Sequence, residues 1–205
     1  ETKGIAMTSV TPTVNGGDVT SWVVYPSLPG GLSIDSTTGE ISGIPNALST
    51  ITTYTVFANN SGGSANTTID ITVNDVAPSS ITGVPNAIIE TKGTSISPIT
   101  PTAVGGGPVT SWEIHPSLPS GLNIDSSTGE ISGTPSALST ITTYTVYANN
   151  TGGSATTTID ITVNDVPPSS ISYSTTSFTE TRDTAMTSVT PTVTGGGPII
   201  TWEVH

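Results

Sequence analysis

Thr156-Thr157-Thr158-Ile159-Asp160-Ile161-Thr162-Val163-Asn164 decides the fold. Thr157, Ile159, Ile161 and Val163 fall on one face of an extended strand. Thr158, Asp160, Thr162 and Asn164 fall on the other. This period of two cannot serve as an amphipathic helix. Its second half is also a repeat. Ile69-Asp70-Ile71-Thr72-Val73-Asn74-Asp75-Val76 returns unchanged at 159–166, 90 residues on. Trp22, Trp112 and Trp202 keep the same interval. Self-similarity at a fixed period governs the whole reading. The 205 residues are two near-complete copies and part of a third.

Working outward through the second copy, turn signals separate short alternating runs. A first strand is predicted near 81–89. Residues 90–102 read as a broken edge strand, because Pro98 and Pro101 cannot donate to an interior ladder. Gly105-Gly106-Gly107-Pro108 is a turn, and 109–115 a strand carrying Trp112. Residues 116–121 form a rigid corner. Leu122 and Ile124 then alternate with Asn123. In 125–129, Asp125 caps a tight turn and Gly129 supplies positive φ. Residues 130–133 return, and 143–148 are a strand with Tyr144, Val146 and Ala148 on one face. Asn149-Asn150-Thr151-Gly152-Gly153 is a hairpin turn. No segment pairs a 3.6-residue apolar period with helix caps. About seven short strands with turns every 8–12 residues make an all-β, Ig-like sandwich. Its core is expected to hold Trp22, Trp112 and Trp202, the Tyr54 and Tyr144 position, and the Ile/Val rows.

Pro-containing stretches at 77–80 and 167–170 mark junctions. The repeats are therefore placed at 1–76, 77–166 and 167–205, as a linear array. The first has no counterpart of 78–89, and the third is truncated. Two expectations follow. If 1–205 is a whole subunit, 168–179 of a neighbour fill that gap by strand addition. If it is a window on a longer chain, the preceding residues fill it.

Composition narrows the function. Formal charge is −12, with 15 carboxylates against three basic residues. Lys3, Lys92 and Arg182 occupy one position of successive copies and form no patch, which argues against nucleic acid and anionic membranes. No run of about 18 apolar residues exists for membrane insertion. There is no cysteine, so disulfides are excluded. Only 9% of residues are charged, and the polar surface is mainly Ser, Thr, Asn and Gly. That profile suits secreted β-proteins better than cytosolic enzymes.

One longer motif points to a family. Residues 26–45 read L-P-x-G-L-x-I-D-x-x-T-G-x-I-S-G-x-P from Leu28 to Pro45, and 116–135 repeat it from Leu118 to Pro135. A Y-x-V-x-A-x-N strand follows at 54–60 and 144–150. The pattern resembles the putative-Ig (He_PIG) repeats, relatives of dystroglycan-type cadherin-like domains. The resemblance covers both near-complete copies. It implies tandem extracellular arrays, mostly in prokaryotic surface proteins and adhesins, in which the repeats act as stalk or spacer. It assigns no ligand by itself.

The resemblance to cadherin-like linkers raises calcium at the repeat junctions, with Asp75 and Asp165 as ligands. The alternative is an Asp that caps a turn before proline, since the further acidic elements of a cadherin site are missing. Asp35 and Asp125 read as Asx-turn caps. No catalytic residue is assigned. His115 and His205 take the place of Tyr25, and a general base is not interchangeable with tyrosine. Sequons make Asn59, Asn66 and Asn149 glycosylation candidates. The tryptophans suit a core better than a sugar-stacking platform. The reading is an extracellular, non-enzymatic structural repeat, either an adhesin stalk or the body of a filament. Its partners are neighbouring repeats and copies of itself. The alternative is an adhesive module for glycans or proteins, with calcium.

Overall fold

Alternation over a dozen residues builds the longest hairpin of the second repeat, and everything else packs on it. The computed structural model describes residues 1–204. In it β12 (Ser139–Asn150) pairs antiparallel with β13 (Gly153–Asn164), turning at Asn150 and Gly153. β9 (Ser111–His115) adds to the other side of β12. β7 (Ala87–Thr91) runs parallel to β13, giving the order β7-β13-β12-β9. The facing layer holds β6 (Ser80–Thr82) paired with β8 (Thr102–Val104), and β10 (Leu122–Ile124) paired with β11 (Ile131–Gly133). A bridge from Ile99 to Ile131 ties the intervening segment to β11.

The core lies between these layers. Tyr144, Val146 and Ala148 from β12 meet Ile159, Ile161 and Val163 from β13, with Trp112, Leu122 and Ile131 against them. All of the inward positions read from the alternation of 159–163 are buried. The outer face of the hairpin is polar and self-satisfied. Thr143 Oγ1 donates to Asp160 Oδ1 at 2.6 Å across the ladder, and Thr53 does the same to Asp70. Cross-strand pairs of this kind are the units that stabilise a sheet.

The motif that repeats at 28–45 and 118–135 has a packing reason. Asp125 Oδ1 accepts the Ser127 and Thr128 amides at 2.7 and 2.9 Å. That cap folds the turn so that Gly129, at φ +78°, lies flat on the indole of Trp112. A Cβ on Gly129 would stand 2.6 Å from Trp112 Cδ2 and 2.8 Å from Pro101 Cγ. Gly39 covers Trp22 in the same way.

The first repeat reproduces the plan with β1 (Ser21–Tyr25), β4 (Ser49–Asn60) and β5 (Gly63–Val73) in one sheet and β2 (Leu32–Ile34) paired with β3 (Ile41–Gly43). A parallel bridge from Thr2 to Asn74 stands where β7 meets β13. Residues 12–14 take no strand pairing, and Ile69 is half-buried where its counterpart Ile159 is fully buried. In the third segment β14 (Ser170–Tyr173) pairs with β15 (Pro191–Thr194).

Three elements differ from the sequence reading. The stretch 81–89 is two strands rather than one, because Gly83 turns the chain at φ +79° between β6 and β7. Residues 92–101 are irregular apart from the Ile99 bridge, and only 102–104 pair as β8. β12 begins at Ser139, four residues before the expected start, through a shift in register between Ser139 and Thr142 that alternation alone does not reveal.

Candidate functional site at the repeat junction

The sheet of the first repeat runs without slack into the second repeat. Asn74 still belongs to the first: its N–H donates to Glu1 O at 2.9 Å and its O accepts the Lys3 N–H at 2.8 Å. The next residue already belongs to the second. Asp75 N–H donates to Thr151 Oγ1 at 2.9 Å. Val76 O then accepts the Gly107 N–H at 2.9 Å and Asn150 Nδ2 at 2.7 Å. Asn150 is itself held, because its Oδ1 accepts the Gly152 N–H at 2.8 Å.

Glycines allow this approach. A Cβ on Gly107 would overlap the Asp75 carboxylate, and one on Gly152 would overlap Asp75 O. The Asp75 side chain is thereby sealed to 8% exposure, with Oδ1 accepting the Val76 N–H at 3.1 Å. The second junction repeats the glycine-turn half of the arrangement, with Asp165 half-buried. Lys92 N–H donates to Asn164 O at 2.9 Å, Asp165 Oδ1 accepts the Val166 N–H at 2.9 Å, and Val166 O accepts the Gly197 N–H at 2.9 Å. Buried polar groups that are fully paired rigidify the structure around them.

Asp75 and Asp165 supply one carboxylate per junction, and one oxygen of each already takes the following amide. Among the described residues no three of His, Cys, Asp and Glu come together. Calcium takes six to eight oxygens. The donor set at these junctions does not fit that requirement, and the Asp carboxylates act as caps on the chain that follows them.

The other candidate residues are spread out. Trp22 and Trp112 are 7% and 6% exposed, and Tyr54 and Tyr144 are buried too, Tyr144 in one cluster with Trp112 and Tyr54 in a separate cluster from Trp22. Trp202 is 56% exposed. Asn149 is half-buried, its amide donating to Ser111 Oγ and accepting from Ser154 Oγ. Asn59 is half-buried at the matching strand end, whereas Asn66 is exposed in β5. The Thr151 hydroxyl of the 149–151 sequon is the acceptor for Asp75. His115 lies at the sheet edge, 3.6 Å from Glu113 and edge-on to Tyr147, with the His115 and Glu113 side chains more than half exposed. His205 lies outside the described residues.

Hydrogen bonds hold the Asp35 carboxyl below its ordinary value, chiefly from the Thr38 and Thr37 amides. Asp125 is lowered to about 2, first by the Ser127 hydroxyl and then by the Thr128 and Ser127 amides. Both serve turns that seat a glycine on a tryptophan. The residues that sequence reasoning passed over are Asn150, Thr151, Gly107 and Gly152. For Asn150, Thr151 and Gly152 the signal was the recurrence of Asn-Asn-x-Gly-Gly at 59–63 and 149–153, and for Gly107 the glycine run at 105–107, each read only as a turn.

Comparison with known proteins bears on this arrangement. A family profile described as "Putative Ig domain" matches residues 2–74 and 77–164. The chain is similar to the "Serine-rich adhesin for platelets" of Staphylococcus aureus, 35% identical over 155 residues, covering 73% of this chain and 6% of that protein. The strain MRSA252 form is also 35% identical, with 11% of its length covered. The chain thus spans about a tenth or less of these curated relatives. Among solved structures it is similar to the N-terminal eight Ig domains of Down Syndrome Cell Adhesion Molecule. There the TM-score is 0.47 and identity 16%, over 82% of this chain and 25% of that one.

Proposed function

Because this chain belongs to the family described as Putative Ig domain, we propose that it is a structural repeat region of an extracellular surface protein, serving as an adhesin stalk or as the body of a filament. One observation carries the proposal. Asn74 is bonded into one repeat and Asp75 into the next, so no residue between them is left to bend. A row of sandwiches joined in this way holds a distance better than a flexible coil of the same length. Similarity to staphylococcal adhesins supports the surface location.

The relatives carry "adhesin for platelets" in their name, yet this chain aligns with 6% of such a protein. The stalk reading gives it the part that projects a binding region, and leaves platelet recognition to other parts of those proteins. It also makes the chain non-catalytic. His115, the one described histidine with a carboxylate neighbour, sits on an exposed strand edge where the first repeat places Tyr25. No helix among the described residues is long and apolar enough to cross a membrane.

Electron microscopy of the native source tests the reading. Beaded threads with one bead per repeat support it, and discrete globular particles overturn it.

A further inference from the structure

The first two repeats build the same sheet with different outer faces. Strand for strand, β1, β4 and β5 differ from β9, β12 and β13 only at Val23, Val24, Tyr25, Phe57 and Asn66, which become Glu113, Ile114, His115, Tyr147 and Thr156. Of the five, Val24 alone packs on the core. The other four fall on the opposite face, because successive side chains of a strand alternate. They are neighbours across the ladder. Val23 stands opposite Phe57, Phe57 opposite Asn66, and Tyr25 opposite Thr55. Further along that face nothing changes: Thr53, Thr55, Thr68 and Asp70 return as Thr143, Thr145, Thr158 and Asp160. The outward differences between the copies are gathered at one place.

That place is self-partnered in the second repeat and unpartnered in the first. Glu113 stands 3.6 Å from His115, and His115 meets Tyr147 edge-on at 5.7 Å. In the first repeat Tyr25 is 73% exposed, Val23 51%, and Phe57 half-buried. Exposed apolar groups that gather, rather than scatter singly, mark interaction sites. The patch carries no charge of its own, and none of the three basic residues of the chain lies on these strands. Its polar border is Thr55, Thr68 and Asn66. Thr53 and Asp70 beyond it are already engaged with each other.

Size and charge select the occupant. An aromatic side chain carries about 150–250 Å² of surface, so this patch offers roughly 300 Å² at most. A stable protein interface needs about 800 Å² from each partner, which excludes a second copy held by this face alone. An added strand is disfavoured too, because the Trp22 N–H on the edge of β1 already donates to Ser36 O at 2.9 Å. A chain of formal charge −12 repels anions. The chemistry that remains is a small neutral ring with an apolar face and a rim of hydroxyls, which is a pyranose. We infer that the outer face of the first repeat, centred on Tyr25, binds a neutral glycan. One sugar ring lays its C–H face on Tyr25 and Val23, and its hydroxyls bond to Thr55, Thr68 and Asn66. Tyrosine suits this part, since it supplies rigid contact area with a polar tip. The second repeat, with Glu113 and His115 at the same place, does not bind. The inference goes beyond the stalk reading and stands or falls separately from it.

The test is retention on immobilised oligosaccharides of glucose, galactose, mannose, xylose and N-acetylglucosamine, with sialylated and sulfated glycans as the charged comparison. The chain should be retained by at least one neutral series. Titration with that oligosaccharide should shift the amide resonances of 23–25, 55–57 and 66 and leave those of 113–115 in place. A Val23→Glu, Tyr25→His chain carries the residues that the same fold already holds at 113 and 115, so it should keep its melting temperature. Its affinity should fall about tenfold or more. The reverse exchange, Glu113→Val, His115→Tyr, Tyr147→Phe and Thr156→Asn, should raise the stoichiometry from one site to two. No retention by any neutral series, retention by charged glycans alone, or equal binding by the Val23→Glu, Tyr25→His chain overturns the inference. So does a parent that sediments as a dimer which those two substitutions dissolve, because a second copy is then the occupant. Each of these failures leaves beaded threads in the micrographs, and with them the stalk, untouched.

Discussion

Asn150→Ala should loosen the junction in a way that Asn60→Ala does not, and the difference isolates one hydrogen bond. Both asparagines accept a glycine amide through Oδ1 at 2.8 Å and reach a turn carbonyl through Nδ2. Asn150 alone also donates to Val76 O, at 2.7 Å. A hydrogen bond of this kind contributes a net ~1 kcal/mol. Both variants should lose about 1–2 kcal/mol through the shared bonds, and Asn150→Ala about 1 kcal/mol more. That extra loss should appear at the junction itself. Amide hydrogen exchange reads local opening free energies residue by residue. In Asn150→Ala the Asp75 and Gly107 amides, bonded to Thr151 Oγ1 and Val76 O, should exchange roughly fivefold faster than in the parent. In Asn60→Ala they should be unchanged. Equal exchange at Asp75 and Gly107 in the parent and both variants would refute the claim that Asn150 locks the two repeats.

Gly129→Ala should destabilise the second repeat by about 2–4 kcal/mol, because its Cβ must displace the Trp112 ring or Pro101 and the residue sits at positive φ; chemical denaturation followed by tryptophan fluorescence measures it. Chelation by EDTA and addition of millimolar calcium should both leave the melting temperature unchanged, as calorimetry will show, since each junction offers a single carboxylate. Acid stability should depend on Asp125. Its folded pKa of about 2 lies below the ordinary carboxylate value, so the stabilisation is complete above about pH 4 and is lost as pH falls toward 2. Denaturation curves across that window should be steeper for the parent than for Asp125→Asn, and matching slopes would remove the cap from the account.

The sandwich was legible because its long strands obey one rule each. The run Ile159, Ile161, Val163 alternates without interruption, and all three are buried as alternation requires. The turn that begins at Asp125 was legible as a turn, because Asx capping and a following glycine are local chemistry. Its purpose was not, since only the fold brings Gly129 over a tryptophan earlier in the chain. The split of 81–89 into two strands turns on Gly83, whose positive φ is a tertiary demand: a Cβ there would stand 2.6 Å from Thr100 O. The junction was the least legible part. Asp75 and Asp165 stood out as isolated acids and suggested a metal. Asp75 meets in space the hairpin at 150–153 and the glycine turn at 105–107, and Asp165 the glycine turn at 195–197; these are silent as sequence because Asn, Thr and Gly are ordinary turn residues. The hydrogen bonds that matter most to the proposed function therefore join residues that composition and spacing treat as filler.

Residual dipolar couplings measured on the first and second repeats of one weakly aligned sample test the central claim most directly. A junction in which Asn74 is bonded to one repeat and Asp75 to the next requires both to move as a single body. The couplings of both repeats should then fit one alignment tensor, with the orientation fixed by the structure. Two tensors of different magnitude would mean that the repeats tumble separately, and a flexible string would replace the stiff row.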